Sequence, residues 1–258
     1  MTKGIDISKH NGSIDWQKVR NSGSVDFAVL RAGYGKLISQ KDQQFERNYA
    51  ECRKYGIPCG TYWYSYAQSV SEIQTEAGVF LEAIKGKQFE YPVYLDFEEE
   101  SQFKLGKATC TAMAKAFLDI IEKAGYYAGL YCSAYYLSNY FDDTVRGRYT
   151  IWLAHVNVAK PTYTKPYDIW QYSWTGKVDG ITGNSGKVDM DYCYKDFPAI
   201  IKNAGLNGFT KPESSEKTSE ITVQNPEKAK KKISLTIDGN SYSLSVDNHT
   251  VSGLLEET

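Results

Sequence analysis

The sequence predicts an irregular TIM-like β/α barrel of the α/β class, followed by a small C-terminal β-hairpin segment. Strand-like and helix-like segments alternate over roughly the first 200 residues, which is typical of a parallel sheet covered by helices. Eight of these segments are strand candidates, the number that closes a barrel. The helical patterns between the later strands are short or missing, so we expect an irregular barrel.

Each strand candidate is a short apolar or aromatic run beside turn or helix-ending residues. Phe27–Leu30 is a continuous apolar run, as in a strand buried on both faces. Gly60–Tyr66 follows Gly56-Ile57-Pro58, a sequence that ends the preceding helix. The eight candidates are Gly4–Ile7, Phe27–Leu30, Gly60–Tyr66, Tyr91–Glu98, Tyr127–Cys132, Thr150–Ala154, Ile169–Tyr172 and Lys187–Asp191.

The helix candidates carry caps and breakers at their ends. Ser71 and Gln74 fit a capping box, and Gly125 ends a strongly apolar helix. The five helix candidates are Asp15–Asn21, Asp42–Tyr55, Ser71–Ile84, Thr109–Ala124 and Asp196–Ala204.

The composition changes after the last helix candidate and predicts three parts. Residues 1–206 form the barrel, and 207–232 form a linker that is rich in charged and small polar residues. Residues 233–258 form a small β-rich tail, in which Asp238-Gly239 connects two alternating strands as in a β-hairpin. A lone hairpin is marginal in water, so we expect it to dock, to self-associate or to belong to a small binding module.

Charge and cysteine usage exclude several functions. The net charge is −1, from 30 basic and 31 acidic residues, so nucleic acid is not expected as a partner. No apolar run is long enough for a membrane span, so we expect no membrane insertion. The five cysteines form no Cys-x-x-Cys pair and the three histidines lack ligand spacing, so we expect buried free thiols, no metal and no cofactor.

Acidic residues lie near the predicted ends of the first, fourth and last strands. Asp6 ends the first strand, Asp96 and Glu98 end the fourth, and Asp189 lies in the last, as does Asp191. Asp96 and Glu98 are two apart, so they share one strand face, with Cα atoms about 6.6 Å apart. Because active sites of α/β barrels form at the carboxyl ends of the strands, we expect Asp6, Asp96, Glu98 and Asp189 at one mouth.

Such a cluster suits the cleavage of glycosidic bonds. Crowded carboxylates raise at least one pKa, which keeps one acid protonated beside ionised neighbours. The protonated acid supplies a proton to the leaving oxygen, and the ionised group stabilises an oxocarbenium-like transition state. Two alternatives remain open: a divalent metal site, and a solvated acidic loop with Asp6 in a turn.

The aromatic residues point to a sugar. The chain has 21 Tyr, a residue with a flat apolar face and a polar tip. Tyr62 and Tyr64 share a face of the third strand, and Tyr131, Trp152 and the Trp170-Gln171-Tyr172 run lie near other strand ends. Packing between strands and helices is the alternative role for either tryptophan.

Six motifs occur together in the order found in one known family. They are Asp6-Ile7-Ser8 with Gly12 and Asp15-Trp16, Leu30-Arg31-Ala32-Gly33, Gly60-x-Tyr62-x-Tyr64, Asp96-x-Glu98, Ile169-Trp170-Gln171-Tyr172, and Val188-Asp189. Over about residues 3–205 the chain resembles glycoside hydrolase family 25, the Chalaropsis-type lysozymes common among phage endolysins.

The resemblance implies an N-acetylmuramidase that cleaves the β-1,4 bond between N-acetylmuramic acid and N-acetylglucosamine in peptidoglycan. It implies Glu98 as the general acid and Asp96 as its partner, which either orients the substrate 2-acetamido group or serves as base. Asp6 and Asp189 are implied as flanking site carboxylates. Substrate contacts are expected from Tyr62, Tyr64, Arg31, Tyr131, Trp152 and Gln171.

Two positions depart from the family pattern, and several questions stay open. Trp63 stands where histidine is frequent, and Asp191 stands where asparagine is often found. The spacing of Asp96 and Glu98 is compatible with either retention or inversion. A non-catalytic wall-binding barrel and a chitin-type glycosidase are the alternative functions.

The location is an expectation from the start of the chain and the thiols. No apolar leader precedes the first strand, and free thiols fit folding under reducing conditions. We expect either an endolysin held in the host cytoplasm until a membrane pore releases it, or a secreted enzyme. The tail is expected to serve wall targeting or self-association.

Overall fold

The computed structural model describes residues 1–212, 231–237 and 240–246, and it confirms the predicted barrel. Eight strands close on themselves in the order in which they occur along the chain. Strands β1 to β8 span Thr2–Ile7, Phe27–Tyr34, Cys59–Tyr64, Val93–Asp96, Ala128–Ser133, Thr150–Ala154, Ile169–Gly176 and Val188–Cys193.

Eight helices within residues 1–212 connect and cover the strands. The cap of α3 differs from the prediction, because Ser69 rather than Ser71 accepts a hydrogen bond from the Glu72 backbone N–H. Helices α1 to α8 span Trp16–Ser22, Phe45–Tyr55, Val70–Ile84, Glu100–Phe103, Lys107–Lys123, Ala134–Tyr140, Asp143–Arg146 and Phe197–Ala204.

The sheet is not wholly parallel, which corrects the prediction. Strands β1 to β7 run parallel to one another, whereas β8 runs antiparallel to both of its neighbours, β7 and β1. An antiparallel strand needs no crossover helix, and residues 177–187 between β7 and β8 contain only a short 3-10 turn. The reversal explains why helical patterns are missing near the end of the barrel.

Two apolar clusters fill the inside and the outside of the barrel. The outer cluster lies between sheet and helices, where Trp63 and Phe80 pack with ring centroids 5.5 Å apart. The inner cluster contains Phe27 and Tyr91, whose rings stack at 4.3 Å. Gly4 is required beside it, since a Cβ there would lie 2.3 Å from Phe27 Cζ. The interior is therefore packed, which leaves the mouth as the place for a site.

The described residues of the first compact unit continue past the predicted boundary at 206, to residue 212. Asn207 was predicted to lie in the linker but is fully buried. Its amide nitrogen donates to the carbonyls of Phe89 (3.0 Å) and Tyr91 (2.9 Å), and its Oδ1 accepts from the Tyr127 N–H (2.7 Å). These bonds make Asn207 part of the barrel. Of the other predicted linker residues, 213–230 lie outside the described residues, and Lys231 and Lys232 begin a strand of the second unit.

The second unit covers residues 214–258. Its described part is an antiparallel pair, β9 (Lys231–Ile237) and β10 (Asn240–Val246), with Ile237 opposite Asn240. This register agrees with the predicted hairpin. The predicted turn at 238–239 and the tail residues 247–258 lie outside the described residues.

All five cysteines are free and buried, which confirms the expectation for the thiols. Across the described ranges, we find no helix with both the length and the apolar character needed to cross a bilayer.

Candidate active site

The structure brings the four predicted carboxylates to one mouth of the barrel. Asp6, near the end of β1, lies opposite Asp189 of β8, and Asp96 is the last residue of β4. Glu98 follows two residues later, beyond the strand that was predicted to include it. Asp6 and Asp96 are buried, Asp189 is half-buried, and Glu98 is open to solvent.

The reversed direction of β8 places Asp189 at this mouth. Because β8 runs downward from the mouth, its second residue lies beside the carboxyl end of β1. The prediction placed Asp189 there by assuming a parallel strand, so the location is right and the assumed direction is wrong. The same direction places Asp191 deeper, opposite Gly4 and Gln171.

Asp191 forms the floor of the cluster. It is fully buried, and its Oδ1 accepts a hydrogen bond of 2.8 Å from Trp152 Nε1. It also lies within hydrogen-bonding reach of Asp6. Burial, with a contribution from the charge of Asp189, raises the pKa of Asp191 to about 8.

A buried hydrogen-bond chain fixes the orientation of Asp6. Gln171 Nε2 donates to Asp6 Oδ2 at 2.7 Å. Gln171 Oε1 accepts from the Tyr131 hydroxyl at 2.9 Å and from Trp174 Nε1 at 3.0 Å. The Gln171 amide is thus held from both sides, and Asp6 is held with it.

Desolvation makes the whole mouth weakly acidic. Burial is the largest cause of the raised pKa of both Asp6 and Asp96, with neighbouring carboxylates adding to it. Burial raises the pKa of Asp189 to about 6. Glu98 is open to solvent on one side, but the surrounding walls of the mouth exclude water from its other side. This desolvation, followed by the charges of Asp189 and Glu99, raises the pKa of Glu98 to about 7. Crowding of charges, the cause expected from the sequence, is secondary to burial.

Arg31 is the nearby cation, but it is committed to another carboxylate. Its Nε and terminal nitrogen bind Asp42 Oδ2 at 2.8 and 2.7 Å. Arg31 pairs in register with Tyr62 of β3. Its charge lowers the pKa of Asp96, but burial and the charge of Glu98, which both raise that pKa, outweigh it. Asp42 was predicted to begin a helix and instead anchors Arg31, so α2 begins later, at Phe45.

The tyrosines of β3 line the mouth as predicted, at different depths. Tyr62 is 8% exposed and its ring lies 5.8 Å from that of Trp152. Tyr64 is half-buried, and its hydroxyl donates to Glu99 Oε2 at 3.2 Å. Glu99, which the sequence did not single out, therefore positions the outer tyrosine.

Trp152 does not lie where a sugar could stack on it, which corrects the expected substrate contact. It is 1% exposed and packs against Tyr62, Tyr94 and Tyr131, with ring centroids 5.8, 5.2 and 4.5 Å away. Gln171 is 2% exposed and is likewise covered. Both residues support the site from beneath. For Trp152, packing, the alternative to substrate contact, is therefore the role that the structure supports.

Trp174 was missed by the sequence reasoning, although it closes the aromatic run that begins at Trp170. Strand periodicity could not find it, because the pairing of β7 with β8 shifts register after Gln171 and again after Ser173. Trp174 is 54% exposed.

The alternative of a metal site has no support within the described residues, where no group of three His, Cys, Asp or Glu is arranged as metal ligands.

The buried Asp191 should make folding stability depend on pH. The folded protein keeps the Asp191 proton up to about pH 8, whereas the unfolded chain releases it near pH 4. Stability from this group is therefore lost as pH rises from about 4 to 8. Asp191→Asn removes the titrating group and keeps an acceptor for Trp152. Between pH 5 and pH 8 we expect the Tm of this variant to fall by at least about 2 °C less than the Tm of the wild type.

The control is Asp179→Asn, an exposed position that should retain the wild-type pH dependence of Tm. An Asp191→Asn protein with the same pH dependence as the wild type would contradict the assignment of a proton to this buried group.

Comparisons with known proteins place this chain in a family. The model of the glycosyl hydrolases family 25 matches residues 5–181, more than half of the chain. YegX of Escherichia coli K12 is 32% identical over 190 residues, covering 70% of this chain and 66% of YegX. The autolytic lysozyme of Clostridium acetobutylicum is 28% identical over 191 residues, covering 73% of this chain and 55% of that protein.

Solved structures share the barrel. The CTP1L endolysin has 28% identity and a TM-score of 0.68, covering 79% of this chain and 70% of that one. The autolysin LytC from Streptococcus pneumoniae, solved with a synthetic peptidoglycan ligand, has 28% identity and a TM-score of 0.64, covering 75% and 46%. The predicted fold and the predicted family are confirmed, and the chain belongs to glycosyl hydrolase family 25.

Proposed function

We propose that this chain is an N-acetylmuramidase that hydrolyses the β-1,4 bond between N-acetylmuramic acid and N-acetylglucosamine in peptidoglycan. The observation that carries the proposal is Glu98, with a pKa of about 7, among Asp6, Asp96 and Asp189 at one barrel mouth. Family membership and the lysozymes among the relatives support the same activity. The peptidoglycan ligand bound to LytC supports the substrate.

Glu98 is the group best placed to protonate the leaving oxygen. Its side chain is open to solvent and therefore to a bound glycan. A general acid works best when its pKa lies near the working pH, and a pKa of about 7 leaves about half of the Glu98 side chains protonated at neutral pH.

Asp96 has the environment of a group that orients substrate. Its Oδ1 is buried and finds no hydrogen-bond partner within the described residues. An unsatisfied buried acceptor costs about 1–3 kcal/mol, which a donor on the substrate would recover. The N–H of a 2-acetamido group is such a donor. We therefore favour Asp96 as the residue that aligns the acetamido oxygen with the anomeric carbon, over a role as base.

Asp6 and Asp189 complete the electrostatic arrangement. The charge of Asp189 raises the pKa of Glu98, and the charge of Asp96 raises the pKa of Asp6, so each flanking carboxylate interacts with one member of the catalytic pair. An oxocarbenium-like transition state carries positive charge, which ionised neighbours stabilise. Asp189, with a pKa of about 6, is mostly ionised at neutral pH and would supply this charge, while Gln171 holds Asp6 in a fixed position beside it.

The acid assignment predicts a large loss of activity in Glu98→Gln. The variant should lower the rate of cell-wall lysis by about 10³-fold or more, because it removes both the transferable proton and the negative charge left behind. Turbidity loss of purified walls measures the rate, and mass spectrometry of the products should place the new reducing end on N-acetylmuramic acid.

Glu100→Gln, an exposed neighbour at the start of α4, is the matched control and should lyse walls at the wild-type rate. Near-normal lysis by a folded Glu98→Gln protein, with folding checked by circular dichroism, would contradict the acid assignment. New reducing ends on N-acetylglucosamine would contradict a muramidase.

We further propose that the second unit targets the wall or mediates self-association. Within its described residues, each strand of the β9–β10 pair is hydrogen-bonded to the other alone, and such edges can pair with another chain. The five buried thiols also fit a protein that folds under reducing conditions, as an endolysin would in host cytoplasm before release.

Deletion of residues 214–258 tests the role of the second unit. The cut leaves Asn207 and its buried hydrogen bonds in place. We expect weaker pelleting with purified walls or a smaller mass per particle by light scattering, while cleavage of soluble fragments continues. Unchanged pelleting together with an unchanged mass would contradict both roles.

A further inference from the structure

A second concave feature opens beside the carboxylate mouth, between the carboxyl ends of β5, β6 and β7. Its volume is about 460 Å³, within the roughly 300–1,000 Å³ of small-ligand sites. We call it the side pocket, and its lining includes Ser133, Tyr135, Asn139, His155, Tyr163 and Trp174.

The side pocket is connected to the carboxylates through Trp174. The indole N–H of Trp174 donates to Gln171 Oε1 at 3.0 Å, and Gln171 in turn holds Asp6 at 2.7 Å. Ser133 lies two residues after Tyr131 on β5, so the two residues point to the same side of the sheet. Residues that line the side pocket therefore adjoin the residues that hold Asp6 at the mouth.

Two aromatic side chains are left exposed at the side pocket. Trp174 is 54% exposed and Tyr135, in the first turn of α6, is 64% exposed. The second of the two register shifts in the β7–β8 pairing, between Ser173 and Gly176, spans Trp174, and such irregularities redirect side chains. The hydrogen bond to Gln171 then holds the indole in place, so its exposed face is a fixed platform.

The surface of the side pocket is mainly apolar with polar groups between, and the described residues that line it carry no acidic or basic side chain of the Asp, Glu, Lys or Arg type. These residues supply hydroxyl, amide and imidazole groups. His155 Nδ1 is already used as the acceptor for the Thr162 N–H at 3.3 Å. Flat aromatic faces with neutral hydrogen-bonding groups suit a neutral ring that carries hydroxyl and acetamido substituents.

We propose that the side pocket binds an N-acetylhexosamine ring of the glycan strand, stacked on Trp174, next to the bond being cleaved. The inference rests on the proposed muramidase activity and names the part of peptidoglycan that the pocket recognises. A stem peptide carries carboxylates and amines, and the described lining offers it no opposite charge.

Binding to a Glu98→Gln protein tests the proposal without cleavage of the probe. The probe is a peptide-free tetrasaccharide of alternating N-acetylglucosamine and N-acetylmuramic acid, measured by calorimetry. Adding Trp174→Ala should weaken binding about tenfold, because the platform is lost. Adding Trp174→Phe should keep affinity within about twofold, because an aromatic face remains although the hydrogen bond to Gln171 is gone.

Tyr194→Ala on the same background is the control, since Tyr194 is 46% exposed but follows β8 at the opposite end of the barrel. It should leave tetrasaccharide affinity unchanged. Each variant is first checked for an unaltered Tm.

Three results would overturn the proposal. Unchanged affinity in Trp174→Ala would show that the sugar does not stack on Trp174. Equal losses of affinity in Trp174→Phe and Trp174→Ala would show that Trp174 acts only by positioning Gln171. A loss confined to peptide-bearing fragments would assign the pocket to the stem peptide. Failure of the wild-type protein to lyse walls would instead contradict the muramidase activity, so the two failures are distinguishable.

Discussion

The removal of carboxyl groups from water at the barrel mouth is the constraint on which this structure depends. Ionising a buried carboxyl group is costly unless a cation or hydrogen bonds compensate. Here the nearby cation, Arg31, is tied to Asp42, so little positive charge is left for the cluster. The pKa values of these acids therefore lie above their ordinary range, and Glu98, at the open rim, is the acid that a glycan can reach.

Hydrogen bonds and aromatic packing hold this costly arrangement in place. Trp152 is buried under the site and donates to Asp191, while Gln171 connects Asp6 to Tyr131. These supports come from β5 to β8, whereas Asp96 and Glu98 come from β4 and its loop. The antiparallel β8 completes the site by bringing Asp189 to the mouth and Asp191 to the floor.

The barrel, its eight strands and the four carboxylates were predictable, because apolar runs and strand ends are local features of sequence. The direction of β8 was not, since a hairpin-like return and a crossover differ only in how the strand pairs. Trp174 escaped because two register shifts break the two-residue alternation. Trp152 was misassigned because aromatic identity does not reveal depth, and only the packed structure showed it to be 1% exposed. Asn207 looked like the start of a polar linker until its buried partners were known.

The central claim is that Glu98 holds a proton at neutral pH, and its titration tests this most directly. In protein carrying ¹³C-labelled glutamate carboxyl groups, NMR spectra followed from pH 3 to 9 give each pKa, and the Glu98→Gln protein identifies the Glu98 signal. We expect a midpoint of about 7 for that signal. A midpoint near 4.3, the ordinary value for glutamate, would contradict it.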